Sequence, residues 1–163
     1  MKKTITVFAV IFLFCSVLYC ENIPKVLVDN MEYFGLTMNE YNCLGLSRVQ
    51  KEKVTKIKRR VNSSGLENEQ KFITLRNDFY GVLKKNQKET YENILVRHCI
   101  DYYWDVAYQL YFSDSQEDNL ERLIDRVYIM SDRFEKEFLN IMSYRQKLAY
   151  NDLKNGRYVR NLW

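Results

Sequence analysis

His98 is the only histidine of the sequence, and its surroundings are the first place to look for chemistry. It stands beside Cys99 and near Asp101, which together could supply half of a metal site. A single histidine beside apolar residues of a helix is more often structural, and we favour that interpretation. No serine or cysteine stands in a recognisable nucleophile motif. The sequence therefore predicts a protein that is not an enzyme, with no catalytic residue, no metal site and no cofactor.

The cysteines offer two kinds of covalent chemistry. In an exported protein Cys43 and Cys99 could form a disulfide that ties the N-terminal segment to a long helix, and two buried thiols are the alternative. Cys20 is a candidate for lipidation, which would leave an acylated cysteine at the mature N-terminus. Tyr19 stands where a lipoprotein signal has a small residue. Ordinary cleavage near Cys20 or Glu21 is therefore the preferred interpretation.

Residues 1–20 have the pattern of a secretory signal peptide. Lysines precede an apolar run, residues 5–19, that is shorter than the about 20 residues of a membrane span. We expect a periplasmic or secreted protein with residues 21–163 as a single domain. Ordinary cleavage would leave it soluble, whereas lipidation would anchor it to a membrane.

The charge balance argues against nucleic acid as a partner. The chain has 25 Lys and Arg against 21 Asp and Glu, and two of the basic residues, Lys2 and Lys3, belong to the signal. The remainder is only slightly basic, unlike a nucleic-acid-binding domain. One proline and five glycines in 163 residues favour helix throughout.

A short motif occurs four times along the chain. An aliphatic residue is followed by three mostly polar positions and then by Gln-Lys, as in LSRVQK, LENEQK, LKKNQK and MSYRQK, at residues 46–51, 66–71, 83–88 and 142–147. The last two copies agree over a longer stretch. Phe79, Leu83, Gln87 and Tyr91 each lie 59 positions before an equivalent residue, namely Phe138, Met142, Gln146 and Tyr150.

The motif has the spacing of a helix-capping box. Ser47 and Gln50 can exchange hydrogen bonds at a helix start, and Ser143 and Gln146 repeat the arrangement. The copy at 66–71 has its box three positions earlier, with Ser64 and Glu67. Lys84 stands where the third copy would need a serine or threonine, so there we expect one face of a continuous helix.

The motif resembles the mark of the Spy/CpxP family of periplasmic proteins, Leu-Thr-x-x-Gln occurring twice. Leu46, Ser47 and Gln50 match it with serine for threonine, and so do Met142, Ser143 and Gln146, with methionine for leucine. The resemblance covers roughly residues 44–153. It implies a small all-helical chaperone or stress sensor, often a cradle-shaped dimer, that uses no nucleotide cofactor. In this family the motif residues would shape the scaffold.

The periodicity predicts a long antiparallel helical hairpin with short N-terminal helices. The short helices should run from Pro24 to Gly35, from a Thr37–Glu40 capping box towards Gly45, and from Ser47 to about Val61. Apolar positions at helical spacing then continue over 66–112, as one helix or as two joined near Asn86. After a cap at Ser113 a last helix should extend to Gly156.

Two surfaces are candidates for binding. The rings of the aromatic block 101–112 fall on several helical faces, so some should be exposed in a client or dimer surface, or else form a thick core. They are Tyr102, Tyr103, Trp104, Tyr108, Tyr111 and Phe112. The other surface is the basic side of the helix after Ser47, which is either a solvated face or a site for acidic clients or anionic lipid headgroups.

The function that we expect is that of an exported, ATP-independent, chaperone-like or envelope-stress protein. It would bind unfolded or partly folded proteins on an amphipathic helical cradle and could act as a homodimer. Membrane attachment would require a lipidated Cys20. The alternatives are a secreted or lipid-anchored helical protein of self-assembly or adhesion, and a metal sensor of the same family.

Overall fold

In the computed structural model the chain is described over residues 31–155, and this part forms seven α-helices and no strand. The prediction of an all-α fold is confirmed. The signal peptide, Cys20, Pro24 and Gly156 lie outside the described residues. A 3-10 turn at Met31–Tyr33 is followed by α1 (Met38–Cys43), α2 (Arg48–Asn62), α3 (Asn68–Val82), α4 (Lys85–Gln109), α5 (Asp114–Arg126), α6 (Asp132–Ile141) and α7 (Tyr144–Lys154).

Three helices begin at predicted capping boxes. Thr37 caps α1, Ser47 caps α2 and Ser143 caps α7. In each box the hydroxyl accepts the backbone N–H three residues on, and that residue's side chain accepts the N–H of the cap. Leu46 and Met142, which precede two of the caps, are buried. The local chemistry of these helix starts is therefore as predicted.

The predicted box of Ser64 and Glu67 is wrong. Glu67 is the N-cap of α3 and makes no side-chain capping bond. The Ser64 hydroxyl instead donates to the carbonyl of Val61 at 2.6 Å, at the end of α2. Ser64 therefore terminates one helix and does not start the next.

The uninterrupted helices of the predicted hairpin do not form. Residues 66–112 divide into α3 and α4 at Leu83 and Lys84, where the backbone is extended, so the broken alternative is correct. The expected last helix is three helices, because extended backbone at Val127 ends α5 and extended backbone at Met142 ends α6. Serine caps restart the helix after each of these breaks.

The two halves of the described chain share an aromatic arrangement. The rings of Phe34 and Phe79 stack with centroids 4.0 Å apart, and Tyr91 meets Phe79 edge-on at 5.2 Å. In the C-terminal half Tyr150 meets Phe138 edge-on at 5.7 Å. Phe79 and Phe138 are fully buried, as is expected for the centres of a packed core. Around them α2 packs on α3, and α5 packs on α6.

The chain enters this core through two consecutive residues with left-handed backbone, Phe34 at φ 63° and Gly35 at φ 85°. The Tyr91 hydroxyl donates to the carbonyl of Phe34 at 2.7 Å and holds the turn against α4. A Cβ atom at Gly35 would lie 3.0 Å from Leu95 Cδ2 and 3.2 Å from Phe72 Cζ. Both the backbone angle and the close packing therefore require glycine.

We expect Gly35→Ala to lower the free energy of unfolding by at least about 1–2 kcal/mol, since left-handed backbone alone costs that much for a residue with a Cβ. The matched control is Gly81→Ala, because Gly81 lies in α3 with open space at its Cβ position. That change should leave stability unchanged or raise it by about 0.5–1 kcal/mol. Urea unfolding compares the two, and equal effects would contradict the requirement for glycine at position 35.

Candidate functional site

Two buried glutamines join the start of α2 to the boundary between α3 and α4. The Gln50 amide nitrogen donates to Gln87 Oε1 at 2.7 Å and to the carbonyl of Val82 at 2.9 Å. The Gln87 amide nitrogen donates to the carbonyl of Leu44 at 2.9 Å, and Gln87 Oε1 also accepts the N–H of Lys84 at 2.9 Å. We call this set of contacts the first junction.

The C-terminal half contains the same arrangement, the second junction. The Gln116 amide nitrogen donates to Gln146 Oε1 and to the carbonyl of Ile141, both at 2.8 Å. The Gln146 amide nitrogen donates to the carbonyl of Leu110 at 3.0 Å, and Gln146 Oε1 accepts the N–H of Ser143 at 2.9 Å. Each partner thus has an equivalent in the first junction.

The two junctions identify the described chain as two copies of one helical unit that share α4. Positions around α2 recur 66 residues later, from Ser47 and Gln50 to Ser113 and Gln116. Positions at the next helix boundary recur 59 residues later, as from Val82 to Ile141 in the two junctions. The second copy is therefore seven residues shorter than the first, since Gln116 and Gln146 are 30 residues apart whereas Gln50 and Gln87 are 37 apart.

The Gln-Lys motif and the glutamines of the two junctions do not coincide fully. Residues 112–116 (FSDSQ) form the second junction, but glutamate follows the glutamine there, so the Gln-Lys search passes over them. Residues 66–71 fit the search, yet Gln70 is exposed and lies in neither junction. Lys84 is not inside a continuous helix as predicted, because Gln87 accepts its N–H and starts α4 without a capping hydroxyl. The spacing of a capping serine to Gln, without the lysine, would have found three of the four and missed Gln87, which follows Lys84.

The aromatic block is divided between core and surface. Tyr103 and Phe112 are buried, so these two residues fit the alternative of a thick core. Tyr102 and Trp104 are partly buried against the core, and burial raises the pKa of the Tyr102 hydroxyl. Tyr108 and Tyr111 remain on the surface, with 83% and 63% of their area exposed.

Four large apolar side chains near the second junction are exposed. The hydrogen bond from Gln146 to the carbonyl of Leu110 brings the end of α4 to the start of α7. Large apolar side chains flank both of its ends and are exposed; we call them the tyrosine patch. They are Tyr108, Tyr111, Tyr144 and Leu148.

The first junction lacks such a patch. The positions that correspond to the tyrosine patch hold polar residues or glycine: Asn42, Gly45, Lys85 and Glu89. All four of these are exposed, so the difference is not one of burial. Since the fold is the same in both copies, it does not require apolar residues at these positions.

His98 and Glu40 fasten the N-terminal turn to α4. His98 Nδ1 lies 3.1 Å from the carbonyl oxygen of Gly35, and Nε2 lies 3.1 Å from the Glu40 carboxylate. That carboxylate also accepts from the backbone and hydroxyl of Thr37 and from Arg97. Burial raises the pKa of Glu40, but the bonds from Thr37 and His98 outweigh it and hold the pKa below its usual 4.5. The structure thus gives His98 a packing role.

The structure shows no disulfide between Cys43 and Cys99 and no metal cluster among the described residues around His98. Cys99 is buried in the core whereas Cys43 is exposed, and the two are not bonded, so the structure has thiols where the sequence left a disulfide open. Across the described part of the chain no three His, Cys, Asp or Glu side chains are grouped so that they could hold a metal ion. Both ring nitrogens of His98 already face protein oxygens.

The basic side of α2 is only partly a solvated face. The Lys58 ammonium lies 5.2 Å from the ring centre of Tyr33 and 5.3 Å from that of Phe34, and burial lowers its pKa. Arg60 pairs with Asp78 of α3. The remaining basic residues of this side are exposed: Lys51, Lys53, Lys56 and Arg59.

The chain matches no protein-family model, no curated protein and no solved structure. The Spy/CpxP resemblance therefore stays a prediction that rests on the motif alone. Within residues 31–155 no helix combines the length and the apolar character that crossing a membrane would take.

The first junction should matter more to stability than the second. Gln50 and Gln87 are each only 7% exposed, whereas Gln116 and Gln146 are partly accessible to water. Replacing Gln87 with methionine strands an amide, a carbonyl and an N–H, and a buried polar group without a partner costs about 1–3 kcal/mol. We expect Gln87→Met to lower the free energy of unfolding by more than about 1 kcal/mol. Gln146→Met should lower it by less than Gln87→Met does. Urea unfolding measures both, and a larger loss for Gln146→Met would contradict this ranking.

The lowered pKa of Glu40 predicts a pH dependence of stability. A carboxylate whose pKa is lower in the folded state stabilises the fold above its unfolded pKa, and this contribution disappears as the pH falls through the folded pKa. Glu40→Gln should therefore be less stable at neutral pH and should lose less stability than the wild type between about pH 5 and pH 3. Urea midpoints across this range test it. Glu89→Gln, at an exposed position of α4, should behave as the wild type does.

Proposed function

We propose that the protein is a nucleotide-independent binding protein that holds partly unfolded polypeptides through the tyrosine patch. The observation that supports this most is the exposure of Tyr108, Tyr111, Tyr144 and Leu148 beside the second junction, where the first junction has polar residues. Large apolar side chains grouped on a surface are typical of interaction sites. Unfolded chains offer the apolar segments that such a surface would bind.

Tyrosine suits this kind of binding for a physical reason. Its ring contributes a large contact area with only two side-chain torsions to immobilise, and its hydroxyl keeps the surface compatible with water. A small patch of this type binds weakly and without strong sequence preference, since area alone does not give high affinity. Weak, reversible binding is what a holding activity without nucleotide turnover requires.

The second junction would act as the frame of the patch. Gln146 fixes the start of α7 against the end of α4, so the side chains on both segments are presented together before a client arrives. A surface that is ordered in advance loses less entropy on binding. In this proposal the motif residues are scaffold, as the family resemblance implies, and the patch makes the contacts.

The proposal includes export, to the periplasm or to the outside of the cell. It rests on the apolar run at residues 5–19 and on the two lysines before it. Binding of unfolding clients without a nucleotide suits a compartment in which nucleotides are not supplied. Lipid attachment at Cys20 would place the same activity at a membrane surface.

The test is suppression of aggregation of a thermally unfolding model client by the purified protein at stoichiometric amounts. The patch variant carries the residues of the first junction, Tyr108→Asn, Tyr111→Gly, Tyr144→Lys and Leu148→Glu. We expect the wild type to protect the client and the patch variant to lose most of this protection while retaining its helical circular dichroism.

The matched control changes exposed polar positions of the first junction, Asn42→Ser, Lys85→Ser and Glu89→Ser, and should protect as the wild type does. Full protection by the patch variant would show that another surface binds the client. Absence of protection by the wild type would overturn the proposed function itself.

A further inference from the structure

The two equivalent helices α2 and α5 carry opposite charge. In α2 there are seven basic residues and one acidic residue, Glu52. In α5 there are five acidic residues and two basic ones, Arg122 and Arg126. Because both helices begin at equivalent caps and pack against equivalent helices, α2 on α3 and α5 on α6, their outer surfaces are equivalent in position and opposite in net charge.

The sign of the charge reverses at three matching positions of the repeat and is kept at three others. Arg48, Lys51 and Arg59 of α2 correspond to Asp114, Glu117 and Asp125 of α5, whereas Glu52, Lys56 and Arg60 correspond to Asp118, Arg122 and Arg126. The apolar positions, by contrast, keep their character, as at Val54, which is equivalent to the buried Leu120. The buried sides of the two helices therefore agree, while the net charge of their outer sides is opposite in sign.

Exposed charges of both helices are available for binding. Four basic side chains of α2 form what we call the basic face, and four acidic side chains of α5 form the acidic face. All eight are exposed, and within residues 31–155 none takes part in an ion pair. The basic face is Lys51, Lys53, Lys56 and Arg59, and the acidic face is Glu117, Asp118, Glu121 and Asp125.

We infer that the basic face of one molecule binds the acidic face of a second copy of this chain. Contact between two basic faces or between two acidic faces would bring like charges together, which is unfavourable. The complementary pairing avoids this. It joins different surfaces of the two molecules, so it produces a closed ring, a reciprocal dimer or an open chain according to the angle of the contact.

The strength of this association follows from the exposure of its charges. Exposed ion pairs are weak and screened by salt, and the Debye length falls from about 10 Å at 0.1 M to about 3 Å at 1 M ionic strength. The association should therefore be reversible, favoured at low salt and at high protein concentration, and weakened about tenfold or more over that range. Binding of an acidic client or of an anionic membrane, by contrast, would depend on the basic face and not on the acidic face.

Sedimentation velocity of the full chain with two reversed variants tests the inference. One variant reverses the basic face with Lys53→Glu, Lys56→Glu and Arg59→Glu. The other reverses the acidic face with Asp118→Lys, Glu121→Lys and Asp125→Lys. Each variant alone should lose the salt-sensitive self-association of the wild type, and an equimolar mixture of the two should recover it, because their faces are again complementary.

The control variant changes exposed charges outside both helices, Asp101→Lys and Lys136→Glu, and should associate as the wild type does. Circular dichroism verifies that each variant is folded. Three results would overturn the inference: a wild type that is monomeric at low salt, an acidic-face variant that still self-associates, or a mixture that does not recover association. Retention on phosphatidylglycerol vesicles by a monomeric wild type, lost only in the basic-face variant, would assign the basic face to a membrane instead.

Discussion

The paired amides of Gln50 and Gln87 impose the constraint on which the N-terminal half of the fold depends. A primary amide has two donor hydrogens and an acceptor oxygen, and when it is buried each of these needs a partner. In this pair the partners are the other amide and backbone groups at three helix ends. The start of α2, the end of α3 and the start of α4 must therefore stay together, since displacing any one of them strands a buried polar group.

The shared helix α4 relates the two copies of this arrangement. Its first turn completes the first junction through Gln87, and the residue after its last turn, Leu110, belongs to the second. At 1.5 Å per residue its 25 residues separate the two ends by about 37 Å. The tyrosine patch thus lies at the far end of α4 from the first junction. A surface for binding and the buried amide pair are kept apart in the same molecule.

The local part of this arrangement could be predicted from the sequence, whereas the pairing could not. Ser47 and Ser143 are recognisable as caps because their glutamine partners are three residues away. The partner of Gln50 is 37 residues away, and nothing in the spacing of residues 46–50 indicates it. Lys84 predicts a helix interior because a lysine side chain cannot accept the capping bond. In the structure the acceptor oxygen of Gln87 is enough to start α4, since the buried amide of Gln50 holds it in place. Long helical periodicity likewise conceals breaks, since apolar spacing continues through an extended residue such as Met142.

The internal repeat separates what the fold requires from what it leaves open. Both copies retain the glutamines, the phenylalanine at the core centre, and apolar side chains at the buried positions of α2 and α5. These are the features that packing and hydrogen bonding need. They differ in the charge of α2 and α5 and in the side chains around the junctions, all of them exposed. Folding places little constraint on exposed positions, so their composition is available for binding. The residue types of the tyrosine patch and of the two charged faces are therefore not explained by the stability of the fold.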